Sequence, residues 1–94
     1  MAEFFRSDQE RKTYKLDPAA EVCYVYYIHV ASNGHDFTHA RGRYHVADLA
    51  AAKALMKTLG ATPAVEQDYI NAMKDYFAID KRVREQFIEK YNLK

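Results

Sequence analysis

Four histidines fall within seventeen residues, His29, His35, His39 and His45, with Cys23 a short way upstream. Such side chains hold transition metals or, suitably paired, activate a nucleophile. Their spacing argues against both roles. On a strand rising about 3.3 Å per residue, His39 stands roughly 20 Å from His45 and about 13 Å from His35, too far to share one ion. His29 falls on the opposite strand face, and Cys23 lies six residues from it on the same strand. Cys23 therefore reads as a small buried hydrophobe. No G-x-S-x-G elbow, glycine-rich phosphate loop or H-E-x-x-H segment occurs. Glu66, Asp68, Asp75, Glu85 and Glu89 alternate with Lys74, Lys81, Arg84 and Lys90 as they do on solvated helix faces. No catalytic residue, metal or cofactor is expected, and the chain does not read as an enzyme.

Tyrosine and arginine form the more telling constellation. Asn33-Gly34 is a hairpin signal, because both residues tolerate the positive φ angles of a two-residue type I′ turn. Closing the turn there predicts Tyr24 opposite Arg43, Tyr26 opposite Arg41, Ile28 opposite His39 and Val30 opposite Phe37. The other face carries Cys23, Val25, Tyr27 and His29 against Tyr44, Gly42, Ala40 and Thr38, a flatter and more apolar set that suits a core. Tyr24, Tyr26, Arg41, Arg43 and His39 are thus the candidate binding residues. Cross-strand cation–π pairs of this kind are worth about 0.5 to 1 kcal/mol each at an exposed site and can serve solubility alone. As a functional surface they match two chemistries: the Tyr and Arg anchors of a protein interface, or tyrosines stacking on bases while arginines hold phosphates.

Charge separates the two. Lysine and arginine number 14 against 13 acidic residues, a net charge of +1. General affinity for nucleic acid usually needs a basic excess, so a protein partner is the leading expectation, a nucleic-acid-binding module the alternative, and a homodimer burying the face against its own copy a third. The aromatic content is 14%, with 8 Tyr and no Trp, which favours recognition, since tyrosine serves core and interface alike. Small cofactor-free domains of this kind are common among accessory and inhibitory proteins of phages and mobile elements, and that origin is the expectation from size. No apolar run is long enough to cross a membrane, and Met1 to Lys12 lacks a secretory apolar segment. A cytoplasmic protein without membrane contact is expected.

The elements that must position these residues follow from periodicity. With 94 residues, the chain reads as a single domain over 1–94. The predicted fold is α+β: an antiparallel hairpin or three-stranded meander over about 11–46, then two or three helices packed on one sheet face. Ser7 followed by Glu10 fits a capping box, while Thr13 to Leu16 alternates like a strand, and the strand is preferred over Arg11 to Leu16. Asp17-Pro18 supplies a turn. After Val46 the period lengthens to about 3.6. Asp48 caps a helix over 48–59 that Gly60 stops. Thr62-Pro63 opens a second helix over 63–78, and Asp80 caps a third over 81–91. The apolar stripe runs almost in phase across Ile79, so a single helix from Pro63 to Tyr91 is the rival reading.

Overall fold

The structure, a computed structural model, describes residues 1–33 and 36–91, the side chains of 32–37 excepted. Among the described residues the elements run β1 (Glu3–Ser7), β2 (Lys12–Pro18), β3 (Cys23–Asn33), β4 (Asp36–Val46), α1 (Leu49–Thr58), β5 (Thr62–Ala64) and α2 (Glu66–Tyr91). The class is α+β, as expected, with a larger sheet. Five antiparallel strands stand in the order β4-β3-β2-β1-β5. The meander predicted over 11–46 forms its core, and β1 and β5 extend it on the far side. Ser7 does cap, though not a helix: its hydroxyl accepts the Glu10 N–H at 3.2 Å in the β1–β2 turn, where Arg11 takes a positive φ of 54°. The Asp17-Pro18 turn is displaced as well. Both residues belong to β2, and the chain reverses at Ala19–Val22, where the Ala19 N–H donates to the Val22 carbonyl at 2.8 Å.

The β3–β4 register differs from the expectation by two residues. Tyr24 lies opposite His45, Tyr26 opposite Arg43, Ile28 opposite Arg41 and Val30 opposite His39. Asn33 pairs with Asp36, so the connection falls at 34 and 35, and the predicted type I′ geometry lies outside the described residues. A two-residue slip leaves every side chain on its own face, because strand side chains alternate with period two. What the observed register adds is room for Tyr27, whose ring lies over the backbone of its partner Gly42.

α1 begins at the predicted cap. The Asp48 carboxylate accepts the Ala51 N–H at 2.8 Å. Gly60, at φ 72°, ends the helix with its own N–H on the Lys57 carbonyl and that of Ala61 on the Met56 carbonyl, a Schellman arrangement. The helix lays Ala52 and Met56 on Tyr14, Leu16, Cys23 and Val25, all buried, with Phe5, Tyr27 and Val46 around them. This is the core face predicted from the sequence.

Three helical expectations are corrected. Thr62-Pro63 does not open a helix, because Thr62–Ala64 pairs with β1 as a short edge strand, a place that tolerates the missing N–H of proline. The helix starts later, with the Val65 N–H donating to the Asp68 carboxylate at 3.1 Å. Nor does it break at Ile79: α2 runs unbroken for 26 residues from Glu66 to Tyr91, about 39 Å at roughly 1.5 Å per residue. That length matches the long axis of a molecule measuring 49 × 26 × 21 Å. Finally, the helices do not share one sheet face. α1 covers the Cys23 and Val25 face, whereas α2 crosses the other, from Phe4 and Tyr69, with ring centroids 5.8 Å apart, to His39 and Asp80 at 3.1 Å. Ile28, on that second face, is buried.

Candidate functional site

The face that carries Tyr24, Tyr26, Arg41, Arg43 and His39 is divided by α2. On one side of the division, the helix takes His39 and Arg41 for its own docking. His39 Nε2 lies 3.1 Å from the Asp80 carboxylate and its ring 5.1 Å from that of Tyr76. The Arg41 guanidinium lies 5.3 Å from the Tyr76 ring centroid and 4.8 Å from that of Phe77, with Nη1 4.0 Å from the Met73 sulfur. Of the predicted binding residues, these two are committed largely to holding the helix on the sheet.

Among the described residues, Tyr24, Tyr26 and Arg43 make no hydrogen bond, ion pair or ring contact with α2, and they form a connected group. The Arg43 guanidinium sits 5.1 Å from the Tyr24 ring centroid and donates to the Tyr26 hydroxyl at 3.5 Å. That hydrogen bond, first among its causes, raises the Arg43 pKa further, so the group is cationic at any working pH. The Tyr24 and Tyr26 rings are 6.4 Å apart, and His45 meets Tyr24 edge-on at 6.5 Å. From β2, Lys15 reaches to 5.6 Å from the Tyr26 ring. The cations thus lie against ring faces, where the aromatic quadrupole holds them in place.

Between this group and α2 a cleft of about 450 Å³ opens, lined by Lys15, Tyr26, Arg41 and Arg43 from the sheet and by Tyr69 and Met73 from the helix, with Tyr27, Ile28 and Gly42 at its floor. Among the described residues no carboxylate lines it. Burial first, and the neighbouring Tyr26 second, push the Tyr69 phenol up, while Arg41 pulls it down. It stays a neutral hydrogen-bonding group beside three cations. The hollow on the other flank of α2, about 290 Å³, is different: Arg6, Arg11 and Lys12 share it with Asp8 and Asp68, and Arg6 is paired with both acids at 3.5 and 3.6 Å. Two carboxylates thus offset part of its positive charge.

Sequence reasoning missed Lys15, Tyr69 and Met73. Lys15 was findable, because Tyr14 and Leu16 alternate with it and so assign it to the face away from the core. Tyr69 and Met73 lay in the stripe read as plain core. The remaining histidine and thiol chemistry is dispersed. His29 Nδ1 meets the Glu10 carbonyl at 3.1 Å, and Cys23 is buried, its thiol pushed up by that burial. Among the described residues no three His, Cys, Asp or Glu side chains come together, and no helix is long and apolar enough to cross a membrane. Compared with family models, curated proteins and solved structures, the chain shows no match.

Proposed function

We propose that this chain is a non-catalytic binding module that takes a protein partner on the cleft beside α2, through Tyr24, Tyr26, Arg43 and Lys15. One observation carries the reading: half-exposed tyrosines and cations with no ion pair among the described residues converge on a cleft that no described carboxylate lines. Tyrosine and arginine at the edge of a pocket are the residue types that anchor protein interfaces. A small accessory or inhibitory protein of a phage or mobile element would act in this way, by occupying a partner's surface rather than by chemistry. A nucleic acid is the weaker reading, since the whole chain has a net charge of only +1, where binding that depends on phosphates needs a broad basic surface.

The test compares variants and ligands together. Tyr26→Ala and Arg43→Ala proteins, shown to fold by circular dichroism, are set beside the parent in capture from a native lysate, and each is titrated with fluorescent single-stranded oligonucleotides. A protein retained by the parent and lost by both variants supports the reading. If Lys15, Arg41 and Arg43 instead hold phosphates, oligonucleotide affinity will fall with salt at a log–log slope of roughly −2, at about −0.7 per contact. Submicromolar oligonucleotide binding with that slope would replace the protein partner with a nucleic acid.

A further inference from the structure

β4 is the outer strand of the sheet, and no described strand pairs with its far edge. Which of its backbone groups face outward follows from the neighbouring ladder. The Val30 N–H donates to the Arg11 carbonyl, so Val30, and with it Ile28, Tyr26 and Tyr24, directs its backbone groups toward β2. Antiparallel ladders alternate. Cys23, Val25, Tyr27 and His29 therefore bond to β4, through their partners Val46, Tyr44, Gly42 and Ala40. The residues between those partners, His39, Arg41, Arg43 and His45, aim their N–H and C=O groups at the open edge. They are also the basic residues of β4, and all four side chains share the α2 face. A strand added here would be read by its backbone and by its charge at the same residues.

We propose that β4 accepts an acidic, extended segment of a partner protein as an added antiparallel strand, with carboxylates at alternate positions opposite Arg41 and Arg43. The proposal rests on the protein-binding reading above and names the kind of segment bound. Directly opposed residues in such a pair lie about 5.5 Å apart at Cα, close enough for a carboxylate to reach the guanidinium across from it. Asp80 already faces His39, whereas the Arg41 guanidinium, though docked on Tyr76, Phe77 and Met73, meets no carboxylate among the described residues, so the demand for acid falls on the two arginines. A second copy of this chain does not fit the same edge. Two β4 strands pairing antiparallel would set His39, Arg41, Arg43 and His45 against the same row, and like charges directly opposite destabilise a sheet. Cationic edges also serve to repel stray strands, and the experiment separates that role from recognition.

The probe is a fluorescent ten-residue peptide with glutamate at alternate positions and threonine or valine between. Its controls are an isomer with the glutamates in one block and two backbone-methylated forms, one methylated at the glutamates and the other at the intervening residues. In the added strand the glutamate N–H groups bond to β4, while the intervening ones point away. The alternating peptide is expected to bind about tenfold more tightly than the blocked isomer, to lose binding when methylated at the glutamates, and to keep it when methylated between them. Arg43→Glu should abolish binding and transfer it to a peptide with lysine in place of glutamate. Hydrogen exchange should slow at the Arg41 and Arg43 amides and stay unchanged at Gly42, whose amide already faces β3. Equal binding of both isomers, indifference to methylation, or no binding at all overturns the proposal and leaves the cationic edge as a guard against aggregation. Tyr26→Ala keeps the two readings distinguishable: a partner lost with Tyr26→Ala while the peptide fails preserves the cleft and rejects the strand.

Discussion

Gly42 is the position where the observed register can be put under load. A β-carbon built there would stand 2.7 Å from the Tyr27 hydroxyl oxygen, 3.0 Å from its Cζ and 3.1 Å from its Cε1. Gly42→Ala therefore forces the ring off the strand, away from a tilted contact with Tyr44 at 6.2 Å. Overpacking of this size costs about 1 to 3 kcal/mol. Alanine returns about 0.4 to 1 kcal/mol by restricting the unfolded chain, since Gly42 does not occupy the left-handed region. The expected net loss is about 0 to 2.6 kcal/mol, and removing the ring should turn it into a gain: in a Tyr27→Ala background, Gly42→Ala should stabilise by about 0.4 to 1 kcal/mol. Urea unfolding followed by far-ultraviolet circular dichroism measures all four corners of the cycle. Had the hairpin closed at Asn33-Gly34, Tyr27 would face Ala40 and Gly42 would face Val25. The same cost in both backgrounds would refute the pairing of Tyr27 with Gly42, and with it the edge geometry derived for β4.

Met56 is fully buried under α1, so Met56→Ala should cost about 2 to 5 kcal/mol, against much less for Leu59→Ala at 38% exposed, both read from the same denaturation curves. Asp80 joins His39 and Arg84, each at 3.1 Å; Asp80→Ala and His39→Ala should each speed hydrogen exchange in the middle of α2 while leaving α1 unchanged, and unaltered exchange would remove the pair as the helix's anchor. Burial, in each case the first cause, lifts Tyr14, Tyr44 and Tyr69 above their ordinary value of 10.0. The folded state then holds these protons more tightly than the unfolded state, so their contribution is whole below pH 10 and is lost as pH rises through the folded values. Stability should decline on that alkaline side, and the decline should be shallower in Tyr14→Phe; identical pH profiles for parent and variant would contradict the assignment.

What the sequence revealed depended on how local each signal was. Asp48, the stripe through Ala52 and Met56, and Gly60 all act within one helix, and α1 appears where they put it. The faces of β3 and β4 were equally readable, since parity survives a slip of two, and for the same reason the register itself was not. β1 was missed because Glu3–Ser7 is short and its partners, β2 and β5, are supplied from elsewhere in the chain. Pairing with β1 likewise overrode the helix-start signal of Thr62-Pro63. Across Ile79 there is neither glycine nor proline to stop a helix, and the in-phase stripe prevailed over the expectation that a domain of this size avoids so long an element.

The placement of α2 bears most on function, and it is the feature that periodicity could not supply. A stripe of Tyr69, Met73, Tyr76 and Phe77 says that a helix will cover something aromatic or apolar; it does not say which face of a sheet. By lying on the Tyr and Arg face, α2 turns a flat surface into a cleft with a wall, and it divides the five candidate residues by role. Arg41 and His39 anchor the wall, while Tyr24, Tyr26 and Arg43 remain for a ligand. The division gives opposite expectations for residues that looked alike in sequence. Arg41→Ala should loosen α2, and so weaken binding and stability together, because its guanidinium is the surface on which Tyr76 and Phe77 rest. Arg43→Ala, on an exposed side chain with no tie to the helix, should weaken binding while leaving the urea midpoint close to that of the parent. Two variants that lose stability equally would mean that α2 does not divide the face as the geometry requires.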